Sequence, residues 1–178
     1  MKIVLYKTEN NIINPGILLD SGVVNIGGLF NLDGLSGQDI IVSVINSFDS
    51  KRNEINEFVD SNEPISFDAI TLLAPLPRPS KILCCIGNYW EHAQREARPL
   101  NMFLKSPETI IGPNDTVILP NNTSPYVFHH EAELAIVIKG PVKDITQTNY
   151  LDAIFGYTCF VDVSGRGEGR STWRSGSW

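Results

Sequence analysis

The 178-residue chain has little positive charge, few cysteines and no long apolar run, and each shortage argues against a class of protein. Fourteen lysines and arginines stand against 20 aspartates and glutamates, which leaves a net charge of −6, and the basic residues form no cluster. Because nucleic acids are bound by concentrated positive charge, we expect no nucleic-acid partner. No segment approaches the roughly 20 apolar residues that span a bilayer, so we expect no membrane partner either.

The cysteines indicate a reducing compartment. Cys84, Cys85 and Cys159 are odd in number and form no CxxC pair. This pattern is typical of reduced thiols in a cytosolic protein, and we expect them to be mostly buried. The first residues turn polar too soon for a signal peptide, so we expect a cytoplasmic protein.

Hydrophobic spacing divides the chain into two parts. Runs at 2–6 and 16–26 predict strands, the latter pair joined by a hairpin turn, and spacings of three and four predict helices over 38–48 and 50–59. Alternate prolines at Pro75, Pro77 and Pro79 forbid helix and favour an extended chain. We place a domain boundary there, with a small N-terminal accessory domain over residues 1–73 and a second domain over 74–178.

The second part is rich in predicted strands. A short buried strand is expected over 81–86, and longer strands over 127–138 and 157–163. Many short strands with few helices predict an α+β, β-rich fold.

Two glutamates on the predicted strand 127–138 point to a metal. Residues i and i+2 of a strand project to the same face about 7 Å apart, so Glu131 and Glu133 lie side by side. Two like charges repel unless a cation lies between them, and Mg²⁺ or Mn²⁺ prefers such oxygen ligands. The alternative is a solvated acidic strand end, and this segment alone does not decide between the two.

Asp162 offers a third carboxylate at the end of the apolar run 157–161. With the two glutamates it would complete three oxygen ligands and leave positions open for water or substrate. The alternative is an aspartate that begins a turn before Ser164 and Gly165. A zinc site made from His129, His130 and a cysteine is a weaker hypothesis, since the usual ligand spacing is absent.

His92 is the candidate base. Glu96 follows it by four residues, so in a helix its carboxylate can reach the imidazole and fix its tautomer. Such a pair could deprotonate a water, whereas a lone histidine more often has a structural role. Lys105, Arg95 and Arg98 could each receive a substrate carboxylate or lie on a solvated surface.

Six segments in order resemble the fumarylacetoacetate hydrolase family. They are Pro77-Arg78-Pro79-Ser80-Lys81-Ile82-Leu83, Asn88-Tyr89-x-x-His92-Ala93, Phe103-x-Lys105-Ser106, Ile111-Gly112-Pro113, His130-Glu131-Ala132-Glu133-Leu134, and Gly156-Tyr157-Thr158 leading to Asp162-Val163-Ser164-x-Arg166. The part before about residue 70 resembles the variable small domain that many members carry at their N-terminus.

The resemblance implies a mixed β-sandwich roll around a Mg²⁺ or Mn²⁺ site, in a protein that is commonly a homodimer. It places Glu131, Glu133 and Asp162 on the metal-binding carboxylates and His92 on the histidine that activates water or moves a proton. It places Lys105 near the substrate pocket, and we add Tyr89 and Arg166 as substrate-binding candidates. The activity implied is hydrolysis, decarboxylation, dehydration or isomerisation of small 2-oxo or 1,3-dicarbonyl acids.

The sequence departs from the family pattern in three places. Arg95 stands where the family has the glutamate partner of its histidine, which makes Glu96 a substitute partner. Gly165 and Gly167 replace an alanine and an aspartate, and the sequence stops at Trp178, where members continue into a Gly-Lys-Ser-x-Asp-Thr segment. We therefore expect a C-terminally truncated fold, and the alternative function is an inactive relative that acts as a binding or oligomerising module.

Overall fold

The computed structural model describes residues 1–89, 100–119 and 127–166, and the chain forms two compact units, Met1–Thr116 and Val117–Trp178. In the first unit an antiparallel sheet has the order β3-β2-β1-β4 and contacts one long helix, α1. The bounds are β1 Ile3–Thr8, β2 Ile13–Leu19, β3 Gly22–Asn25, α1 Gly37–Asp60 and β4 Ile70–Leu72. A hairpin of β5 (Ile82–Cys85) and β6 (Met102–Lys105) follows.

The second unit has one pair of strands in its described part. The antiparallel strands β7 (Val127–Ile138) and β8 (Ile154–Arg166) are joined through a 3₁₀ turn at Tyr150–Ala153. Both units together give the predicted strand-rich α+β fold. The predicted domain boundary after residue 73 stays a prediction. No helix in the described part of the chain is long and apolar enough to cross a membrane.

Helix α1 begins at a reciprocal cap. The Ser36 hydroxyl accepts a hydrogen bond from the Asp39 backbone N–H at 3.3 Å and lies 2.6 Å from the Asp39 carboxylate, to which it donates. The cap satisfies one of the backbone donors left open at a helix start, and the aspartate is favourable near the positive end of the helix dipole. The structure has one continuous helix where the sequence predicted two, over 38–48 and 50–59. Nothing interrupts it, since residues 49 and 50 contain no helix breaker.

The core of the first unit is formed by helix α1 and by residues on both faces of the sheet. The helix buries an apolar stripe with the spacing of three and four seen in the sequence: Ile40, Ile41, Val44, Ile45, Phe48 and Ile55. The sheet supplies Leu5, Tyr6, Ile17, Val23 and Val24, each at most 2% exposed, and because neighbours on a strand alternate, these residues lie on both faces of the sheet. This core follows directly from the helical and strand periodicities.

Gly16 on β2 is needed for this close packing. A Cβ placed on Gly16 would collide with Cγ1 of Val23 and would lie 3.1 Å from the carbonyl oxygen of Val24. Both valines are buried in the core, so neither can move aside freely.

We predict that Gly16→Ala lowers the free energy of unfolding by about 1–3 kcal/mol, the usual cost of overpacking. Gly28→Ala is the matched control, because Gly28 is exposed and a Cβ there meets nothing within 4 Å. Urea unfolding followed by circular dichroism measures both, and equal stabilities of the two variants would contradict the prediction.

Tyr6 is a second buried feature of this core. Its side chain is fully buried, and its hydroxyl has no hydrogen-bond partner among the described residues. Burial raises the pKa of Tyr6 above its ordinary value of 10.0, because desolvation disfavours the phenolate. The folded state therefore keeps its proton at a pH where the unfolded state loses it, so stability is fully present below about pH 10 and falls as the pH rises further.

We predict that Tyr6→Phe leaves the free energy of unfolding at pH 7 unchanged or raises it by about 1 kcal/mol, since a buried unpaired hydroxyl is removed. The variant should also lose part of the fall in stability above pH 10. Urea unfolding at pH 7 and pH 10.5 tests this. A variant that is clearly less stable at pH 7 would mean that the hydroxyl has a partner.

Two expectations about burial are wrong. The strand over 81–86 forms as β5, but Leu83 is 54% exposed and Ile86 is 38% exposed, so the strand is not buried. Cys84 and Cys85 are half-buried and Cys159 is exposed. A short apolar run does not reveal whether a second layer covers it, which explains both errors.

Candidate functional site

The register of β7 and β8 brings the predicted carboxylates together on one face. Glu131 lies directly opposite Asp162, and Glu133 lies opposite Phe160. Residues that face each other in an antiparallel pair project to the same side, with Cβ atoms about 4.5–5.5 Å apart. Glu131 is thus next to Asp162 across the strands and next to Glu133 along its own strand.

Asp162 lies inside β8 rather than at its end. The strand continues through Val163, Ser164 and Gly165 to Arg166, all in register with β7. The alternative in which Asp162 begins a turn is therefore wrong. Asp162 is 3% exposed, and among the described residues it is the one buried charged side chain. A buried carboxylate is costly unless polar groups or a cation compensate it.

Ser164 is a site residue to which the sequence analysis assigned no role. Its hydroxyl lies 3.2 Å from Oε2 of Glu131 and 3.4 Å from Oδ1 of Asp162, in geometry that lets it donate to either carboxylate. It reaches both because it stands two residues after Asp162 on the same face and diagonally across from Glu131. The i+2 spacing from Asp162 is the signal that could have identified it.

The two adjacent histidines lie on opposite faces of the strand pair. His129 is opposite Ser164 and shares the carboxylate face, whereas His130 is opposite Val163 on the other face. Because neighbouring residues of a strand alternate, one ion cannot take both histidines from one face. The register therefore argues further against the zinc hypothesis.

The face away from the carboxylates is apolar and exposed. Alternate residues of both strands line it, and each is about half exposed or more: Leu134, Ile136, Ile138, Tyr157 and Val161. The exposed face is thus mostly aliphatic and aromatic, whereas the three carboxylates and Ser164 share the other face with Phe160.

The donor chemistry of the site fits a hard divalent cation. Three carboxylates share one face, and carboxylate oxygens are the ligands that Mg²⁺ and Mn²⁺ prefer. Across residues 1–89, 100–119 and 127–166, however, no three His, Cys, Asp or Glu side chains converge closely enough to hold a metal ion. The fit is therefore one of donor type and strand register, not of a preformed coordination sphere.

The other predicted site residues are placed less completely. His92 and Glu96 lie outside the described residues. Arg166 closes β8 opposite Val127, and nothing is described of its side chain. Tyr89, which is 43% exposed, and half-buried Lys105 at the end of β6 belong to the first unit. Their roles in substrate binding stay predictions.

The sequence profile described as fumarylacetoacetate (FAA) hydrolase C-terminal matches residues 81–175, more than half of the chain. The chain belongs to the fumarylacetoacetate hydrolase family. The match covers β5 to β8 and so includes all three carboxylates of the site. The recognition made from the six sequence motifs is confirmed.

Curated relatives include two mitochondrial oxaloacetate tautomerases. The Xenopus laevis protein is 37% identical over 113 residues, which cover 61% of this chain and 35% of the relative. The human protein is 27% identical over 173 residues, which cover 93% of this chain and 54% of the relative. This chain thus spans only about a third to a half of the length of these relatives.

Solved structures of the same family share the fold. Maleylpyruvate hydrolase from Sphingobium sp. SYK-6, in complex with manganese(II) and pyruvate, is 26% identical with a TM-score of 0.78. The alignment covers 93% of this chain and 60% of that one. A 5-carboxymethyl-2-hydroxymuconate delta-isomerase from Mycobacterium smegmatis is 25% identical with a TM-score of 0.62. These likenesses confirm the predicted fold class.

We predict that Ser164→Ala destabilises the chain by about 1–2 kcal/mol in the presence of a chelator, because it removes a hydrogen-bond donor from charged acceptors. Thr158→Ala is the matched control: Thr158 lies on the same face of β8, but among the described residues its hydroxyl makes one hydrogen bond, to the adjacent carbonyl oxygen of Cys159. Thermal unfolding measures both variants. Equal losses in the two would show that the serine hydroxyl has no special role at the carboxylates.

Proposed function

We propose that this chain carries the metal-binding strands of a divalent-metal-dependent enzyme that acts on small 2-oxo or 1,3-dicarbonyl acids. The observation that carries the proposal is the cross-strand register of Glu131 with Asp162, with Glu133 beside them on the same face. Like charges in facing positions destabilise a sheet, so such an arrangement is best explained by a cation that they share.

The names of the relatives support the substrate class. Maleylpyruvate and oxaloacetate are both 2-oxo acids, and the maleylpyruvate hydrolase structure holds manganese(II) together with pyruvate. Hydrolysis of an acylpyruvate and tautomerisation of oxaloacetate share an enolate next to the 2-oxo carboxylate. One set of residues can therefore serve a hydrolase, a lyase, a tautomerase or another isomerase.

In the proposed site Glu131, Glu133 and Asp162 hold Mg²⁺ or Mn²⁺. When bound, the ion supplies Lewis acidity that stabilises an enolate. Ser164 keeps the Glu131 and Asp162 side chains oriented toward each other through its hydroxyl. Groups that orient metal ligands in this way commonly raise metal affinity about 10- to 100-fold.

The proton-transfer and substrate-binding roles are assigned to the remaining candidates. His92 acts as general base, with Glu96 holding its tautomer. Lys105, Tyr89 and Arg166 bind the substrate, with the two cations receiving its carboxylate and the phenol group donating a hydrogen bond.

The proposal predicts that Glu131→Gln and Asp162→Asn each weaken Mn²⁺ binding by at least about 100-fold, since each replaces a charged carboxylate ligand by a neutral amide of almost the same shape. Isothermal titration of Mn²⁺ into each purified variant measures this directly. Asp152→Asn is the matched control, because Asp152 is an exposed carboxylate in the same unit, within the turn before β8. It should bind Mn²⁺ as the unmodified chain does.

Activity gives the second readout of this experiment. Oxaloacetate tautomerisation and acylpyruvate cleavage are both followed by the ultraviolet absorbance of the enol form. Glu131→Gln should abolish either activity, and full activity of that variant would overturn the proposal. Failure of the unmodified chain to bind Mg²⁺ or Mn²⁺ would instead favour the alternative of an inactive binding or oligomerising module.

A further inference from the structure

Arg78 is held between two prolines and attached to helix α1. Pro77 and Pro79 fix their own φ angles and restrict the residues before them, so the chain around Arg78 is stiff. The Arg78 backbone N–H donates to Oε1 of Gln38 at 2.8 Å, and Gln38 lies in the first turn of α1. A Cβ on Gly37 would lie 3.6 Å from Cγ of Pro77, so the proline segment lies against the start of this helix.

The Arg78 side chain contacts a different part of the chain. Its guanidinium Nη2 donates to Oε1 of Glu108, thirty residues further along the chain. Glu108 lies in the 3₁₀ turn Pro107–Thr109, and the Ser106 hydroxyl that caps this turn accepts a hydrogen bond from the Glu108 N–H at 3.3 Å. Lys105 directly precedes that cap.

The ion pair lies just beyond the Lys105 end of the β5–β6 hairpin. Ile82 and Lys105 are the last paired residues at that end. Arg78 precedes Ile82 by four residues and Glu108 follows Lys105 by three. The ion pair therefore joins the segment that enters β5 to the segment that leaves β6. Gly112 comes close to the segment between β4 and β5, since a Cβ on Gly112 would lie 3.3 Å from the backbone nitrogen of Ala74.

Stability does not explain this arrangement. The Arg78 and Glu108 side chains are 70% and 64% exposed, and exposed ion pairs contribute little to the free energy of unfolding. The distinctive feature of the ion pair is its location. Arg78 contacts α1 through its backbone and the turn after Lys105 through its side chain. A lysine ammonium group already moves on a flexible four-carbon stem, so any freedom of its backbone adds to the range of positions that it can take.

We propose that Arg78 and Glu108 are positioning residues that fix the Lys105 end of the hairpin to the start of α1. The pair thereby orients the Lys105 ammonium group toward the carboxylate of a 2-oxo acid. This rests on the proposed function for its substrate, but the mechanical link between the ion pair and Lys105 does not.

The test compares Glu108→Gln with Glu54→Gln, a matched control. Glu54 forms an exposed ion pair of the same kind with Lys51, at 2.9 Å, but both of its members lie within α1. Two rescue variants complete the set: Arg78→Lys keeps the charge, and the double variant Arg78→Glu with Glu108→Arg restores the pair with reversed signs.

The first readout needs no activity. Acetylation of Lys105 by acetic anhydride, followed by mass spectrometry of the peptide, reports how accessible its amine is. Hydrogen exchange at Thr109 and Ile110, whose amides close the 3₁₀ turn, reports how firmly the turn is held. Both rates should rise about three- to tenfold in Glu108→Gln, stay unchanged in Glu54→Gln, and return toward the original values in the charge-reversed pair.

The second readout uses oxaloacetate as substrate in the presence of Mn²⁺. Glu108→Gln should raise KM about tenfold and change kcat much less, because a misplaced carboxylate receptor weakens substrate binding before it affects the chemistry. Acetylation, exchange and KM in Glu108→Gln that all match Glu54→Gln would overturn the proposal. If the unmodified chain neither binds Mn²⁺ nor turns over oxaloacetate, the proposed function fails, and the acetylation and exchange rates still decide the mechanical link.

Discussion

The antiparallel register of β7 and β8 is the constraint on which the candidate site depends. A slip of one residue between two strands moves every side chain of one strand to the other face. Such a slip would separate Glu131 from Asp162 and turn Leu134 toward the polar side. The register between β7 and β8 therefore decides where the carboxylates meet.

The same register brings a local conflict. Two carboxylates face each other and a third lies beside them, while Asp162 is almost completely buried. A sequence selected for stability alone would not place three acids there, since facing like charges and buried charge both oppose folding. Conflicts of this kind concentrate at functional sites. Ser164 reduces the conflict by offering one hydroxyl to two of the acids.

The first unit is held together by apolar burial and contains no such cluster of acids among its described residues. Its sheet and helix are stabilised by apolar burial, with a capped helix start and a close approach at Gly16, and the buried polar atoms there are few. The stiff proline segment leaves β4, lies against the start of α1 and leads into β5. In the proposed role of Arg78, this segment must be rigid to hold the backbone of Lys105 in place, because each flexible residue would add conformational freedom at Lys105.

Local patterns in the sequence determined the elements and one face of the site. The apolar segment 127–138 predicted a strand with Glu131 and Glu133 on one side, and the spacings of three and four over 38–48 and 50–59 predicted helices, because both periods are properties of a single segment. Only the tertiary structure decided that Asp162 lies within β8, that it faces Glu131, and that Ser164 contacts both acids across 33 residues of sequence. The physical reason is that the end of a strand and the neighbours of its side chains depend on the partner strand, and no local period in either segment records their pairing.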